Sequence, residues 1–190
     1  DEVLDQYVTE HLFSDTSYKY SSGGKPEAIP SITQEEFLET YIYNYHPSNS
    51  YIFLYGDLNV EQYLNHIDSY LNNYDYKDYS DYNLSLQENF TADIVKRTYF
   101  NEDVKDKAYV AYNYILGDSN EFSKIENIDI IDDILLGSSN TEFRKYFIDN
   151  NICEDVYSYV QKDRKETVYS IIFKYVSDDK LESLDTEYKS

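Results

Sequence analysis

A helix that must end at a proline, followed at once by a strand of buried type, constrains this chain more than any other feature of its sequence. Thr33 and Glu36 have the spacing of a capping box, in which a hydroxyl and a carboxylate each satisfy a free backbone N–H at the helix start. Five apolar or aromatic residues then recur at helical spacing: Phe37, Leu38, Tyr41, Ile42 and Tyr45. Pro47 disfavours helical geometry at the preceding His46, so the predicted helix ends there.

The residues after this proline predict a strand and a second helix. Residues 50–55 read SYIFLY and are bounded by Ser48-Asn49 and Gly56-Asp57, which is typical of a strand with both faces covered. Asn59 can cap the next helix, whose apolar stripe is Val60, Tyr63, Leu64, Ile67 and Leu71. The order is therefore helix, tight turn, strand, helix.

The rest of the chain shows further helical and strand patterns. An amphipathic helix opens the chain with apolar positions at Val3, Leu4, Tyr7, Val8 and Leu12. The patterns predict strands over 92–100, 107–116, 156–160 and 167–176, helices over 118–137 and 141–148, a helix starting at 177, hairpin turns over 101–106 and 161–166, and polar connections over 13–32 and 72–89. We interpret Asp132 and Asp133 as the solvated edge of the helix that ends at Gly137.

Several motifs in the first third of the chain resemble one known family. They are Ser-Gly-Gly-x-Pro-Glu-x-Ile-Pro from Ser22, Thr-x-Glu-Glu-Phe from Thr33, Tyr-His-Pro-Ser-Asn-Ser from Tyr45 and Leu-Tyr-Gly-Asp-Leu from Leu54. Their order and spacing resemble the presequence-protease branch of the insulinase/pitrilysin zinc metallopeptidases. The resemblance extends over about residues 1–176 and is strongest in the first 60.

The resemblance implies an α+β fold in which each domain is a helix-backed, largely antiparallel sheet and several domains close into a chamber. By that likeness, residues 1–75 are the C-terminal half of the first, catalytic-type peptidase domain. Residues 76–90 are the inter-domain connection, and residues 91–190 are the N-terminal half of the second, non-catalytic domain. Two sheets cut in this way would expose unpaired edges and apolar faces.

The zinc motif of the resembled family is absent from this sequence. That motif is His-x-x-Glu-His on a helix, with a more distant glutamate as the third ligand. The nearest string runs from Tyr7 to His11 and has a tyrosine in place of the first ligand. Catalytic zinc needs three protein ligands, so we interpret His11 as an ordinary helix-face histidine. We assign no catalytic and no metal-binding residue, the substrate-binding residues stay unknown, and zinc is expected only in the full-length parent.

The other two histidines have ordinary interpretations as well. His46 is expected to cap the free carbonyls at the end of its helix, and His66 is expected to form a solvated pair with Asp68. Neither lies near a second histidine or a cysteine in the sequence.

Composition limits the partners of the chain. It has 37 acidic and 16 basic residues, a net charge of -21, which argues against nucleic acid and favours cationic peptides. The alternative is that the charge only keeps the surface soluble. Hydrophobic residues make up 41% of the chain and include 24 tyrosines, so we expect a folded body and not an acidic tail.

The single cysteine and the lack of long apolar runs bear on the compartment. Cys153 permits no internal disulfide and is expected to be a small core residue, which fits a reducing compartment, cytoplasmic or, as an alternative, the organelle matrix. No apolar run approaches the about 20 residues that span a bilayer.

These observations lead to three hypotheses. The first is an inactive fragment of a zinc-dependent endopeptidase that degrades short, unstructured peptides in a closed chamber, with peptides and the remaining domains of the polypeptide as partners. The second is a non-catalytic partner subunit or protein-binding module of the same fold, and the third is a free-standing acidic binding domain. The chain starts at Asp1 and contains no methionine, so we expect an internal piece of a longer protein. When isolated, this piece is expected to self-associate or to be markedly less stable than its parent.

Overall fold

The structure is a computed structural model of the 190-residue chain, and it describes residues 2–80, 84–92 and 107–189. Six helices and three strands form its regular structure. The helices are α1 (Glu2–Leu12), α2 (Gln34–Asn44), α3 (Val60–Leu71), α4 (Phe122–Leu136), α5 (Glu142–Asp149) and α6 (Leu184–Lys189). The strands are β1 (Ala108–Asp118), β2 (Asp155–Gln161) and β3 (Glu166–Val176). The predicted α+β class with a largely antiparallel sheet is confirmed.

The described residues divide into two compact units. The sheet unit combines residues 1–20 with residues 84–190, and the helical unit comprises residues 21–83. The predicted domain limits at 75, 90 and 91 follow from the family resemblance, and they stay a prediction.

The sheet unit contains an antiparallel sheet in the order β1-β3-β2. In its register Tyr112 lies opposite Ile171 on one side of β3, and Ser158 lies opposite Ile171 on the other. Eight successive residues of β3, from Glu166 to Phe173, are buried, as expected for a central strand covered on both faces. These three strands confirm the predictions over 107–116, 156–160 and 167–176.

The core of the sheet unit lies where α4, α5 and α6 meet the sheet. Phe173 is fully buried, and its ring packs edge-on against three other aromatic rings. The distances between ring centres are 4.7 Å to Phe147, 5.9 Å to Tyr112 and 6.0 Å to Tyr188. Cys153 is buried in the same cluster, in agreement with its interpretation as a core residue. Burial raises the pKa of its thiol to about 11.

A bulge turns β1 towards α4. The pairing of β1 with β3 shifts register between Ile115 and Gly117, and Gly117 has a φ of 109°, a conformation that favours glycine. A side chain there would also approach the ends of Glu121 and Lys124 to 3.1 Å. The predicted helix after this turn is confirmed as α4, which ends at Gly137.

The helical unit begins with the predicted capping box. The Glu36 amide donates to the Thr33 hydroxyl at 3.2 Å, and the Glu36 carboxylate accepts from the Thr33 amide at 2.8 Å. The Thr33 amide and the Thr33 hydroxyl both donate to this carboxylate at 2.8 Å, and they lower the pKa of Glu36. α3 is capped by Asn59, whose side-chain oxygen accepts from the Gln62 amide at 3.2 Å. Both helices confirm the predictions from sequence.

Two local predictions in the helical unit are wrong. Residues 51–55 are extended but form no strand, because no described segment of this chain pairs with them. His46 caps no helix carbonyl: its Nδ1 accepts from the Ser48 amide at 3.2 Å and so starts the short 3-10 turn Pro47–Asn49. Proline favours this turn after α2, and Asn49 Nδ2 donates to the Asn44 carbonyl oxygen at the helix end at 2.9 Å, in the role predicted for His46.

Three further predictions need comment. Almost all of the predicted strand over 92–100, and the turn over 101–106, lie outside the described residues. The predicted helix starting at 177 begins instead with the 3-10 turn Asp178–Lys180 and continues as α6 from Leu184. Among the described helices, none combines the length and the apolar character needed to cross a bilayer.

Candidate functional site

The three histidines considered for a metal site belong to different elements. His11 lies in α1, His46 precedes the Pro47–Asn49 turn, and His66 lies in α3. Among residues 2–80, 84–92 and 107–189, no group of three or more His, Cys, Asp or Glu side chains could hold a metal ion. The described part of the chain therefore does not fit a catalytic zinc, which needs three protein ligands.

His11 is engaged within its own helix. Its Nδ1 lies 2.8 Å from the Tyr7 carbonyl oxygen, and because that oxygen only accepts, Nδ1 carries the proton and donates. The centres of the His11 and Tyr7 rings lie 4.3 Å apart. Glu10 accepts a hydrogen bond from the Gln6 amide at 3.1 Å. These contacts orient His11 along the surface of α1.

Asp132 fastens α4 to the sheet, which the sequence analysis did not foresee. The Tyr169 hydroxyl donates to its Oδ1 at 2.9 Å, and the Ser158 hydroxyl donates to the same oxygen. Burial and this carboxylate raise the pKa of Tyr169. The interpretation of Asp132 as solvated edge is therefore wrong, since the side chain is half-buried. Asp132 lies four residues after Ile128 and three before Leu135, which both face the core. This spacing puts Asp132 on the same side of α4 and could have predicted its contact with the sheet.

A polar strap joins the start of the chain to the turn between β2 and β3. Gln87 is buried, its amide donates to Glu166 Oε2 at 2.9 Å, and its side chain donates to the Asp15 carboxylate. The Asp15 amide returns a bond to Gln87 Oε1 at 3.0 Å. Residue 87 thus links two segments that lie more than 70 positions from it in the sequence.

The same turn carries an arginine set between aromatic rings. The Arg164 guanidinium lies 5.3 Å from the centre of the Phe13 ring and 5.7 Å from that of Tyr18. The Tyr18 hydroxyl accepts from the Lys165 amide at 2.8 Å. The strap and this arginine are packing devices, because neither brings a nucleophile beside a base.

The helical unit contains an open pocket of about 360 Å³. It lies where the end of α2, the Pro47 turn and α3 meet, and its walls include Tyr45, Pro47, Ile52, His66, Tyr70 and Leu71. Apolar and aromatic groups form most of this lining. The pocket can therefore receive an apolar side chain, but it holds no pair of groups suited to acid–base catalysis.

Beside the pocket runs an extended stretch, residues 51–55, which we call the open segment. Its aromatic residues Tyr51, Phe53 and Tyr55 are 93%, 77% and 89% exposed, while the aliphatic Ile52 and Leu54 between them are 50% and 41% exposed. Among the described residues, no hydrogen bond involves the backbone of the open segment. A segment of alternating exposure with free backbone groups is an unpaired strand edge, a surface that native proteins pair or cover.

Comparison with known proteins identifies similar sequences. The family model described as "Peptidase M16 inactive domain" matches residues 31–186. Protein HypA of Clostridium perfringens is 32% identical over 182 residues, which cover 92% of this chain and 18% of that protein. An uncharacterised protein of Borreliella burgdorferi is 29% identical over 193 residues, covering 99% of this chain and 19% of that protein. The mitochondrial presequence protease of Danio rerio is 43% identical over 63 residues, 33% of this chain and 6% of that protein. The chain spans less than a fifth of the length of each of these relatives.

Proposed function

This chain belongs to the peptidase M16 family, in the part that the family model describes as inactive, and from that premise we propose that it is a framework segment of a longer zinc-dependent endopeptidase. The predicted relationship to the presequence-protease branch is confirmed by this match and by the relatives. The observation that carries the proposal is the match over residues 31–186, in a chain whose described residues offer no metal site.

In this proposal the longer protein degrades short, unstructured peptides inside a closed chamber, and zinc is bound by residues outside this chain. The chain contributes wall and support, through the sheet unit and the helical unit, and is itself inactive. The net charge of -21 supports a preference for cationic peptides, which an acidic wall would attract. The compartment is cytoplasmic or the organelle matrix, and the mitochondrial and chloroplastic names of several relatives favour the matrix.

The open segment supports the proposed domain organisation. Residues 51–55 have the alternation and free backbone of a strand, yet they lack a neighbour among the described residues. We propose that they belong to a sheet of the first domain, completed by the longer polypeptide, with residues 1–75 as the C-terminal half of that domain, 76–90 as the connection and 91–190 as the N-terminal half of the second.

A non-catalytic partner subunit of the same fold is the second candidate, and the description of the matching family model as inactive favours it. The two candidates differ in the longer protein. An intact His-x-x-Glu-His motif with a distal glutamate is expected for the peptidase. A degenerate motif is expected for the partner subunit.

The test uses the longer protein and a short fluorogenic peptide. We expect hydrolysis that a chelator abolishes and zinc restores, with no hydrolysis by the 190-residue chain at the same concentration. Chelator-sensitive hydrolysis by the 190-residue chain alone would contradict the proposed inactivity. A longer protein that shows no hydrolysis with zinc present would favour the partner subunit.

A further inference from the structure

Helix α4 carries exposed isoleucines on the side that faces away from the sheet, in addition to the apolar side that faces the core. Ile125 and Leu136 are buried against the unit's core. On the opposite side Ile130 and Ile134 are 60% and 69% exposed. A surface helix ordinarily presents charged or polar residues to water, so two isoleucines one turn apart on the outer side are an exception. The outer side of α4 is therefore a surface built to be covered.

The exposed residues follow a line with the spacing of a helix–helix contact. At 100° per residue, four positions separated by four, three and four residues point outward, and we call them the outer seam: Ser123, Asn127, Ile130 and Ile134. All four are exposed and none is charged. Alternating steps of three and four residues are the positions along which one helix packs against another. The occupant that fits is a helix lying along α4.

From this geometry we infer that the outer seam of α4 is an internal interface, packed by an amphipathic helix that the longer polypeptide supplies from outside these 190 residues. The inference rests on the proposed function in one respect, namely that this chain is part of a longer polypeptide. The relatives support that premise, because the chain spans 18% and 19% of the two that it matches over more than nine-tenths of its length. The remaining four-fifths are a source for the covering helix.

Charge distinguishes this occupant from a second copy of the chain. Glu126, Asp129 and Asp133 form an acidic row along one side of the outer seam, and of these Asp129 is paired with Lys162 at 2.5 Å. Two copies packed seam to seam would bring together chains that each carry a net charge of -21, and antiparallel packing would also place both acidic rows on the same side. A covering helix could pack apolar residues on the isoleucines of the outer seam and place Lys or Arg side chains beside the acidic row. We therefore assign that chemistry to the occupant.

Thiol labelling of the longer protein tests the inference. Ile134→Cys places a thiol on the outer seam, and Lys124→Cys places one on the same helix, about a quarter-turn away, where the side chain is 54% exposed. Alkylation is followed by mass spectrometry of the α4 peptide, in native protein and in urea. The native Cys153 gives little background, since it is buried and its thiol has a raised pKa.

We expect the I134C thiol to react at least about tenfold more slowly in native protein than in urea, because labelling then requires local opening of the interface. The labelling rate of the K124C thiol should differ by less than about threefold between native protein and urea. Equal reactivity of the two thiols in native protein overturns the inference. Ile130→Cys repeats the measurement at a second seam position, in case I134C disturbs folding.

Two further readouts separate the alternatives. Protection of I134C that disappears on dilution assigns the seam to a second copy and overturns the inference. Protection of I134C that persists on dilution supports the interface. If the same longer protein lacks peptidase activity, the interface is supported but the proposed function is contradicted. Protection of I134C in the 190-residue chain alone, at the level of the longer protein, places the cover within these residues and also overturns it.

Discussion

The ring of Tyr188 lies against the ring of Tyr112, with 3.9 Å between their centres and 17° between their planes. The Tyr188 hydroxyl is also within 2.9 Å of the Tyr114 hydroxyl, so one side chain of α6 contacts two residues of β1. Leu184, the first residue of α6, is buried beside it. A helix of six residues has little stability of its own, and these two side chains hold it on the sheet.

Removing the Tyr188 ring should therefore release α6. We expect Tyr188→Ala to lower the free energy of unfolding by about 3 kcal/mol, because it deletes a large, half-buried aromatic group. Tyr188→Phe keeps the stacking and should cost about 1 kcal/mol for the lost hydrogen bond. Urea unfolding followed by circular dichroism measures both. Lys189→Ala, on the exposed side of α6, is the control, and a loss for Tyr188→Ala no larger than the control's would contradict this role.

Asp132 should be needed to dock α4 on the sheet. Asp132→Ala leaves the hydroxyls of Ser158 and Tyr169 without their acceptor, and we expect a loss of about 1 to 3 kcal/mol. Its neighbour Asp133 is exposed, so Asp133→Ala should cost less than about 0.5 kcal/mol. A double-mutant cycle with Tyr169→Phe gives the coupling directly. Additive effects of Asp132→Ala and Tyr169→Phe would show that the pair does not interact.

The buried tyrosines should make the sheet unit sensitive to alkali. Burial, with a smaller effect from the charge of Asp185, raises the pKa of Tyr112 to about 12, above the ordinary value of about 10. The folded state thus favours the neutral phenol, and this stabilisation is complete below about pH 10 and lost as the pH rises towards 12. We expect the free energy of unfolding to fall over that window, and to fall less steeply in Tyr112→Phe.

Absorbance at 295 nm gives an independent check of this pH dependence. Tyr112, Tyr169 and Tyr188, whose pKa values burial raises, should ionise only above pH 10. Ionisation of all tyrosines in one step near pH 10, while the chain remains folded, would contradict the raised pKa.

The capping box should determine where α2 begins. Thr33→Ala removes the hydroxyl that accepts from the Glu36 amide, and we expect the stability of this helix to fall by about 1 kcal/mol. Hydrogen exchange of the first-turn amides measures the change, with Thr40→Ala inside the same helix as the control. The lowered pKa of Glu36 means that its contribution to the cap is present above the ordinary pKa and is lost as the pH falls through the lowered one. Exchange rates that are unchanged in Thr33→Ala would exclude this capping role.

The open segment should make the isolated chain associate or melt early. We expect the 190-residue chain to scatter light as an oligomer or to melt below the longer protein. Tyr51, Phe53 and Tyr55 are exposed, and the backbone beside them makes no hydrogen bond to the described part of the chain. Salt should promote the association, since it screens the net charge of -21. Phe53→Lys should reduce it, and Thr40→Lys, at an exposed position of α2 outside the segment, serves as the control. A monomer with a sharp melt as high as that of the longer protein would refute this expectation.

Sequence reasoning succeeded where the decisive interactions are local. Thr33 with Glu36, Asn59 and Gly137 mark helix ends through bonds and backbone geometry a few residues away, and all three are seen. The hairpin of β2 and β3 was predicted from a charged turn between two strand patterns. These signals need no knowledge of the remaining chain.

The misses depend on partners that local patterns do not specify. Residues 50–55 have strand composition, but pairing depends on a neighbour that the described residues do not supply. Asp132 was misplaced because its partners, Ser158 and Tyr169, lie 26 and 37 residues further along the chain. Gln87 gave no signal at all, since its bonds reach residues 72 and 79 positions away.

The strand order has a consequence for how this chain is made. β3 is the last of the three described strands in the sequence, and among the described residues it is the only pairing partner of β1 and of β2. A nascent chain that has left the ribosome as far as Gln161 carries both outer strands and no central one. The ladders of β1 and β2 with β3 can form only after residues 166–176 emerge, so both of these pairings are made in one late step during synthesis.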